Sequence, residues 1–236
     1  MIAVLDHRIP SEAVSGLSRA DVEPIFLPAH PALPAPVASH PDLLVFFTET
    51  ACYTVESYWT VAKMQLQQIE RLANLELRIC KGNLGGRYPA DVLLDAAPVG
   101  KRLFCAPAHT AEEIVSLYRD NVVPVRQGYA KCSCVPVGEN AIITSDPSLI
   151  CGAASVGVEC LAIEEGHVRL TGYSTGFIGG AASFCLRPSY DTVYFCGDLS
   201  CHPNGEEIRA FCNSHKKNAV SLGHFPLTDV GTMFIL

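Results

Sequence analysis

"LTDVGTMFIL" (Leu227 to Leu236) is an apolar strand signal at the end of the sequence, and "MIAVLD" (Met1 to Asp6) is another at its start. Chain ends fray unless something ties them down, and an unpaired apolar edge invites aggregation. Pairing the two segments with each other satisfies both demands, and that reading decides the expected fold. The C-terminal segment then supplies a first strand and Met1–Asp6 the second. A helix near Ser11–Leu17 and a third strand, "VEPIFL" (Val22–Leu27), complete the unit.

The same order of hairpin, helix and third strand recurs along the chain. One unit opens at "HPDLLVFF" (His40–Phe47), continues through a helix over Thr60–Ala73 and ends on "LELRIC" (Leu75–Cys80). The spacing of Val61, Met64, Ile69 and Leu72 places them on one inward face. A second opens at Tyr88–Leu94 and returns along Arg102–Ala106. Its helix starts at Thr110, with Glu113 completing a capping box and Ile114 and Leu117 facing inward, and Val122–Gln127 closes it. A third runs from Gly128–Val137 through a turn at 138–140 to Ala141–Ser145, then a short helix after Asp146-Pro147, then Val158–Ile163. The fourth opens at Thr175–Cys185, returns along Thr192–Gly197, carries a helix near Gly205–His215 and closes on Ala219–Gly223. With the unit made by the two ends, this gives five units. The Pro-rich stretch Leu27–Pro41 reads as a stiff extended connector inside a single domain spanning 1–236.

Composition excludes several classes. Hydrophobic residues make up 49% and charged residues 17%, enough for a sizeable core. A net charge of -7 argues against a nucleic-acid or anionic-membrane surface. Asp6 and Arg8 interrupt the first apolar run, so no signal peptide is read, and glycines break the charge-free stretch Leu170–Leu186 as a membrane span. The expected setting is the cytoplasm, with eleven free cysteines whose default role is core filler. Cys196, Cys201, His202, Cys212 and His215 match zinc spacing only in part, so no metal is expected. "GFIGG" (176–180) lacks the remaining residues of a phosphate or dinucleotide loop, and no cofactor is expected.

Five such units in a ring, together with "HPD" (40–42), "QGYAKCS" (127–133), "ITSD" (143–146), "GFIGG" (176–180), "GDLS" (197–200) and "LTDVG" (227–231), resemble the pentein superfamily. This is the five-bladed α/β propeller of guanidino-group-modifying enzymes, and the likeness extends to an uncharacterised bacterial family assigned to that fold. The resemblance implies a cysteine nucleophile, a general-base histidine and carboxylates holding a guanidinium in a central channel. His40-Pro41-Asp42 is similar to the family's His-x-Asp motif. The family's cysteine sits near the C-terminus, whereas this chain has none after Cys212.

On that reading, the polar residues at unit starts converge: His40, Asp42, Asp91, Lys131, Cys132 and Asp229. Gly176, Gly179 and Gly180 leave room for a ligand. A planar guanidinium takes bidentate carboxylates, for which Asp42, Asp91 and Asp229 are candidates; the plainer alternative is that each caps a turn. The nucleophile is Cys132 or its competitor Cys185, in "GGAASFC", and either could instead be a buried strand cysteine. Lys131 or protonated His40 would favour a thiolate, but Lys131 shares a face with Cys132 only if the backbone bends there. The expected function is a Cys–His–Asp enzyme acting on a small guanidino or amidino compound bound in the channel. The alternative is a non-catalytic binding or assembly protein of the same fold.

Overall fold

The computed structural model describes residues 1–187 and 189–236. Strand β1 (Ile2–Asp6) leads through α1 (Ser11–Arg19) to β2 (Glu23–Leu27), which pairs with it in parallel. The connector that follows is not uniformly extended: it contains a 3-10 turn at Ala35–Val37. A one-turn helix α2 (Pro41–Leu44) precedes the antiparallel hairpin of β3 (Phe46–Phe47) and β4 (Ala51–Val55). Helix α3 (Glu56–Ala73) then returns the chain to β5 (Glu76–Cys80), parallel to β4. The pattern repeats with β6 (Ala97–Val99), β7 (Arg102–Cys105), α4 (Glu112–Tyr118) and β8 (Val122–Pro124). It repeats again with β9 (Val135–Pro136), β10 (Ala141–Thr144), α5 (Pro147–Ser155) and β11 (Glu159–Ala162).

The fourth unit differs. Its β12 (Ser183–Cys185) meets β13 (Thr192–Phe195) through one bridge, Ala182 to Phe195, while α6 (Gly205–Ser214) leads to β14 (Asn218–Ser221), parallel to β13. Strand β12 pairs instead with β15 (Met233–Ile235), and β15 pairs antiparallel with β1, setting Ala3 against Ile235 and Val4 against Phe234. The two end segments therefore zip together as their apolar patterns require. The architecture is mixed α/β, with helices connecting strands of five small sheets. No helix among the described residues is long and apolar enough to cross a membrane.

Several expectations need correction. The segments 40–44, 88–94, 128–134, 175–182 and 227–232 are turns, bends and single helical turns with isolated bridges, and regular strand pairing starts only after them. Pro41 lacks an N–H and suits the first position of a helix, so α2 forms where a strand was expected. The second error concerns α3. Tyr58, Ala62, Leu66 and Ile69 form its buried face, while Val61, Met64 and Leu72 are exposed, Met64 at 81%. Starting the helix four residues too late hid Tyr58 and shifted the apparent stripe. In α4, Ile114 is buried but Leu117 is exposed, and Ala111, not Thr110, occupies the N-cap, with no side-chain cap. Helix α5 behaves as its sequence dictates: Asp146 Oδ1 accepts the amides of Ser148 and Leu149 at 2.8 and 3.0 Å.

Candidate active site

The turned segments ahead of the first strands carry the polar residues. Between Ala130 and Ser133 the chain turns instead of running as a strand. Asp95, on the turn before β6, fixes that bend: its Oδ1 accepts the backbone amides of both Lys131 and Cys132. The bend buries both neighbouring side chains, Lys131 to 1% and Cys132 to 3% exposure, which a regular strand would send to opposite faces. The Cys132 thiol donates to Asp42 Oδ2 at 2.9 Å. The Thr232 hydroxyl lies 2.8 Å from the same Asp42 oxygen and 3.0 Å from the Gly179 carbonyl. Lys131 Nζ donates to Thr232 Oγ1 at 3.2 Å and to the Cys134 carbonyl at 3.3 Å. Thr232 has φ +64°, a conformation a β-branched residue rarely adopts, and follows Gly231 at φ +69°. The bonds of its hydroxyl to Asp42, Lys131 and the Gly179 carbonyl help to maintain that conformation.

His40 caps α2 and is 2% exposed. Its Nδ1 lies 3.7 Å from Asp229 Oδ1 and its Nε2 3.8 Å from Asp6 Oδ2. Asp229 is fixed by the amides of Gly231 and Phe177 at 3.0 and 2.9 Å. Asp6 accepts Arg8 Nη2 at 2.6 Å and Ser39 Oγ at 2.7 Å. Donor atoms of His40, Asp42 and Cys132 all lie within 4.8 Å of one another, a spacing a divalent cation could bridge. A cavity of about 380 Å³, lined by Asp6, Arg8, His40, Asp229, Leu170 and Gly172 among others, opens onto this histidine.

Burial dominates the electrostatics. It pushes the carboxyls of Asp42, Asp95 and Asp229 above the usual range, with Asp42's charge adding to the rise at Asp95 and His40 opposing it at Asp229. Burial lowers the basicity of His40 and Lys131, against the pull of Asp229 and Asp6 on the first and Asp42 on the second. The Cys132 thiol is held well above its ordinary value by burial and then by the charges of Asp42, Asp95 and Asp229. Asp42 Oδ1 and Asp95 Oδ2 are buried without a hydrogen-bond partner among the described residues. Unpartnered carboxyl oxygens at such depth are costly, and the raised pKa values of Asp42 and Asp95 reflect that cost.

The remaining candidates fall elsewhere or serve otherwise. Asp91 is buried and accepts the Tyr129 hydroxyl at 2.6 Å. Gly179 and Gly180 do not leave room for a ligand. A Cβ on Gly179 would come within 2.3 Å of the Lys131 carbonyl, and one on Gly180 within 2.0 Å of Asp229 Oδ1. They let backbone and carboxylate approach closely, as does Gly176 beneath Asp229 Cβ. Cys185, the competing nucleophile, lines a different cavity, among whose described lining residues there is neither His nor Asp. Cys196 and Cys212 pack into separate apolar clusters, so the residues at 196–215 do not gather into a metal site. All eleven cysteines are free thiols.

Asp6, Asp95 and Thr232 escaped the sequence reading. Asp95 had a usable signal, a lone acid inside the apolar run Val92–Val99; Asp6 was visible only as a break in an apolar segment. The model of a family of unknown function (DUF6873) matches residues 4–234 of the chain. No curated protein matches it.

Proposed function

We propose, for a chain that belongs to the family of unknown function DUF6873, that the Cys132 centre modifies the guanidino or amidino group of a small molecule. The observation that carries this reading is the meeting of Cys132 with the neighbouring pair His40 and Asp42, some ninety positions earlier, in one buried acidic centre. The reading places the chain among five-bladed penteins. Its supports are the recurring hairpin–helix–strand units, the pairing of β1 with β15, and the lateral packing of β6 on β9, β9 on β12 and β12 on β15.

In the proposed reaction, a planar cation pairs with the carboxylates of Asp42 and Asp229, and its charge offsets the repulsion that keeps Cys132 protonated. The thiol proton passes to His40, the thiolate attacks the amidine carbon, and His40 returns that proton to the departing amine. A covalent amidino-thioether remains. Water attack releases a ureido product and restores the thiol; an acceptor amine in place of water gives amidino transfer. The same burial and negative field favour a second reading, a binding protein that holds an organic cation without attacking it.

The test is labelling with 2-chloroacetamidine at neutral pH, in which sulfur displaces chloride, followed by intact mass and peptide mapping. The expected result is one adduct on Cys132, suppressed by arginine-like compounds, slowed in His40→Ala and lost in Cys132→Ser. Absence of the adduct, or slow scattered labelling over many cysteines, overturns the enzyme reading in favour of the binding protein.

A further inference from the structure

The first strands run from the Cys132 centre towards a second cavity, of about 490 Å³. Its rim is built from the hairpin turns at 48–50, 100–101 and 138–139 together with residues 183–187. Phe184 forms part of its wall while Lys131 Nζ lies 5.4 Å from the centroid of the same ring, so an aromatic side chain stands between the cavity and the acidic centre. Three cations line it, Lys101, Arg187 and Lys217, against two acids, Glu49 and Glu139. Lys101, Arg187, Glu49 and Glu139 form no ion pair among the described residues. Lys217 Nζ donates to the Tyr190 carbonyl at the cavity wall. Burial raises the pKa of the Cys185 thiol, and the positive charges of Arg187 and Lys217 oppose that rise.

An excess of cation over acid at one cavity is notable in a chain of net charge -7. A concave wall of Phe184, Tyr118 and Val193 beside these cations suits an anion with an apolar body. We infer that this cavity is a second ligand site, for a small organic carboxylate, at the end of the first strands remote from Cys132. It rests on none of the chemistry assigned to Cys132 and stands or falls separately.

Cys185 makes the site measurable. Its thiolate displaces iodide from iodoacetate, an anion, or from neutral iodoacetamide, forming a thioether in each case. Peptide mapping of the whole chain gives both rates at Cys185 and at the exposed Cys201. The expected iodoacetate-to-iodoacetamide ratio at Cys185 is about tenfold above that at Cys201, as an unscreened local cation produces. It falls towards the Cys201 ratio in K101Q/R187Q, most of the change coming from R187Q. Millimolar benzoate should protect Cys185 from iodoacetamide, and inorganic phosphate should do so less well. Equal ratios at the two cysteines, a ratio unmoved by K101Q/R187Q, or no protection by benzoate overturns the inference. Protection by phosphate alone overturns the organic-carboxylate assignment.

Discussion

The Cys132 thiol donates a 2.9 Å hydrogen bond to Oδ2 of Asp42, ninety positions earlier in the chain. Burial first, and then the charge of Asp42 and its neighbours and this bond, keep the thiol protonated. Replacing Asp42 by Asn removes the nearest negative charge, so the Cys132 pKa should fall in Asp42→Asn. Ultraviolet titration of the thiolate, referenced to Cys132→Ser, reads the change. Alkylation of Cys132 by neutral iodoacetamide should quicken, while labelling by the cationic 2-chloroacetamidine slows. An unchanged or higher thiol pKa would show that Asp42 is not the controlling charge.

Asp95 makes a prediction about stability and pH. Burial and the charge of Asp42 raise its folded pKa well above the ordinary value of about 3.8, so the folded state holds the proton more tightly. Its contribution to stability is therefore full below about pH 3.8 and is lost as pH rises through the folded value, each pH unit of that window being worth about 1.4 kcal/mol. His40 works in the opposite direction. Its folded pKa is below 6.5, so stability falls as pH drops from 6.5 through the folded value. Asp95→Asn stays neutral at every pH and should flatten the loss on the alkaline side. Thermal melts of the native chain and the variant between pH 4.5 and 8.5 read the difference; parallel curves would refute it.

The two faces of α3 give a packing test. Leu66 is fully buried, and Leu66→Ala should cost about 2–5 kcal/mol by leaving a cavity. Met64→Lys, at a position that is 81% exposed, should change stability by no more than about 0.5 kcal/mol. Urea denaturation of both variants decides the orientation. If their costs were reversed, the original inward face would be restored.

The joined ends predict a cooperative loss. Phe234 lies opposite Val4 and packs edge-on against Phe47 at 5.0 Å and Phe184 at 6.2 Å between centroids. Phe234→Ala should cost about 3–5 kcal/mol. It should also speed hydrogen exchange at the amides of Ile2 and Leu236, which bond each other's carbonyls at 3.0 and 2.9 Å. Exchange at those amides that is already fast in the native chain would mean that the two strands are not locked.

The sequence by itself determined the order of hairpin, helix and strand. Apolar periodicity and turn residues are local signals, and β7, β10 and β13 fall within the stretches Arg102–Ala106, Ala141–Ser145 and Thr192–Gly197 that read as return strands, whereas β4 escaped that reading. It also determined that the two apolar ends needed partners. It named Asp42, Lys131, Cys132 and Asp229 as converging groups only through the family resemblance, which sets the polar residues of unit starts around one channel. What only the tertiary structure decided was how those groups meet. The bend that turns Lys131 and Cys132 inward together comes from Asp95, and no local pattern links a carboxylate to amides thirty-six positions away. The buried face of α3 and the close-packing role of Gly179 and Gly180 were decided likewise, by what other segments press against them. A periodicity reports the chain's own geometry. The charge around a thiol, and the space above a glycine, are set by atoms that folding brings from elsewhere.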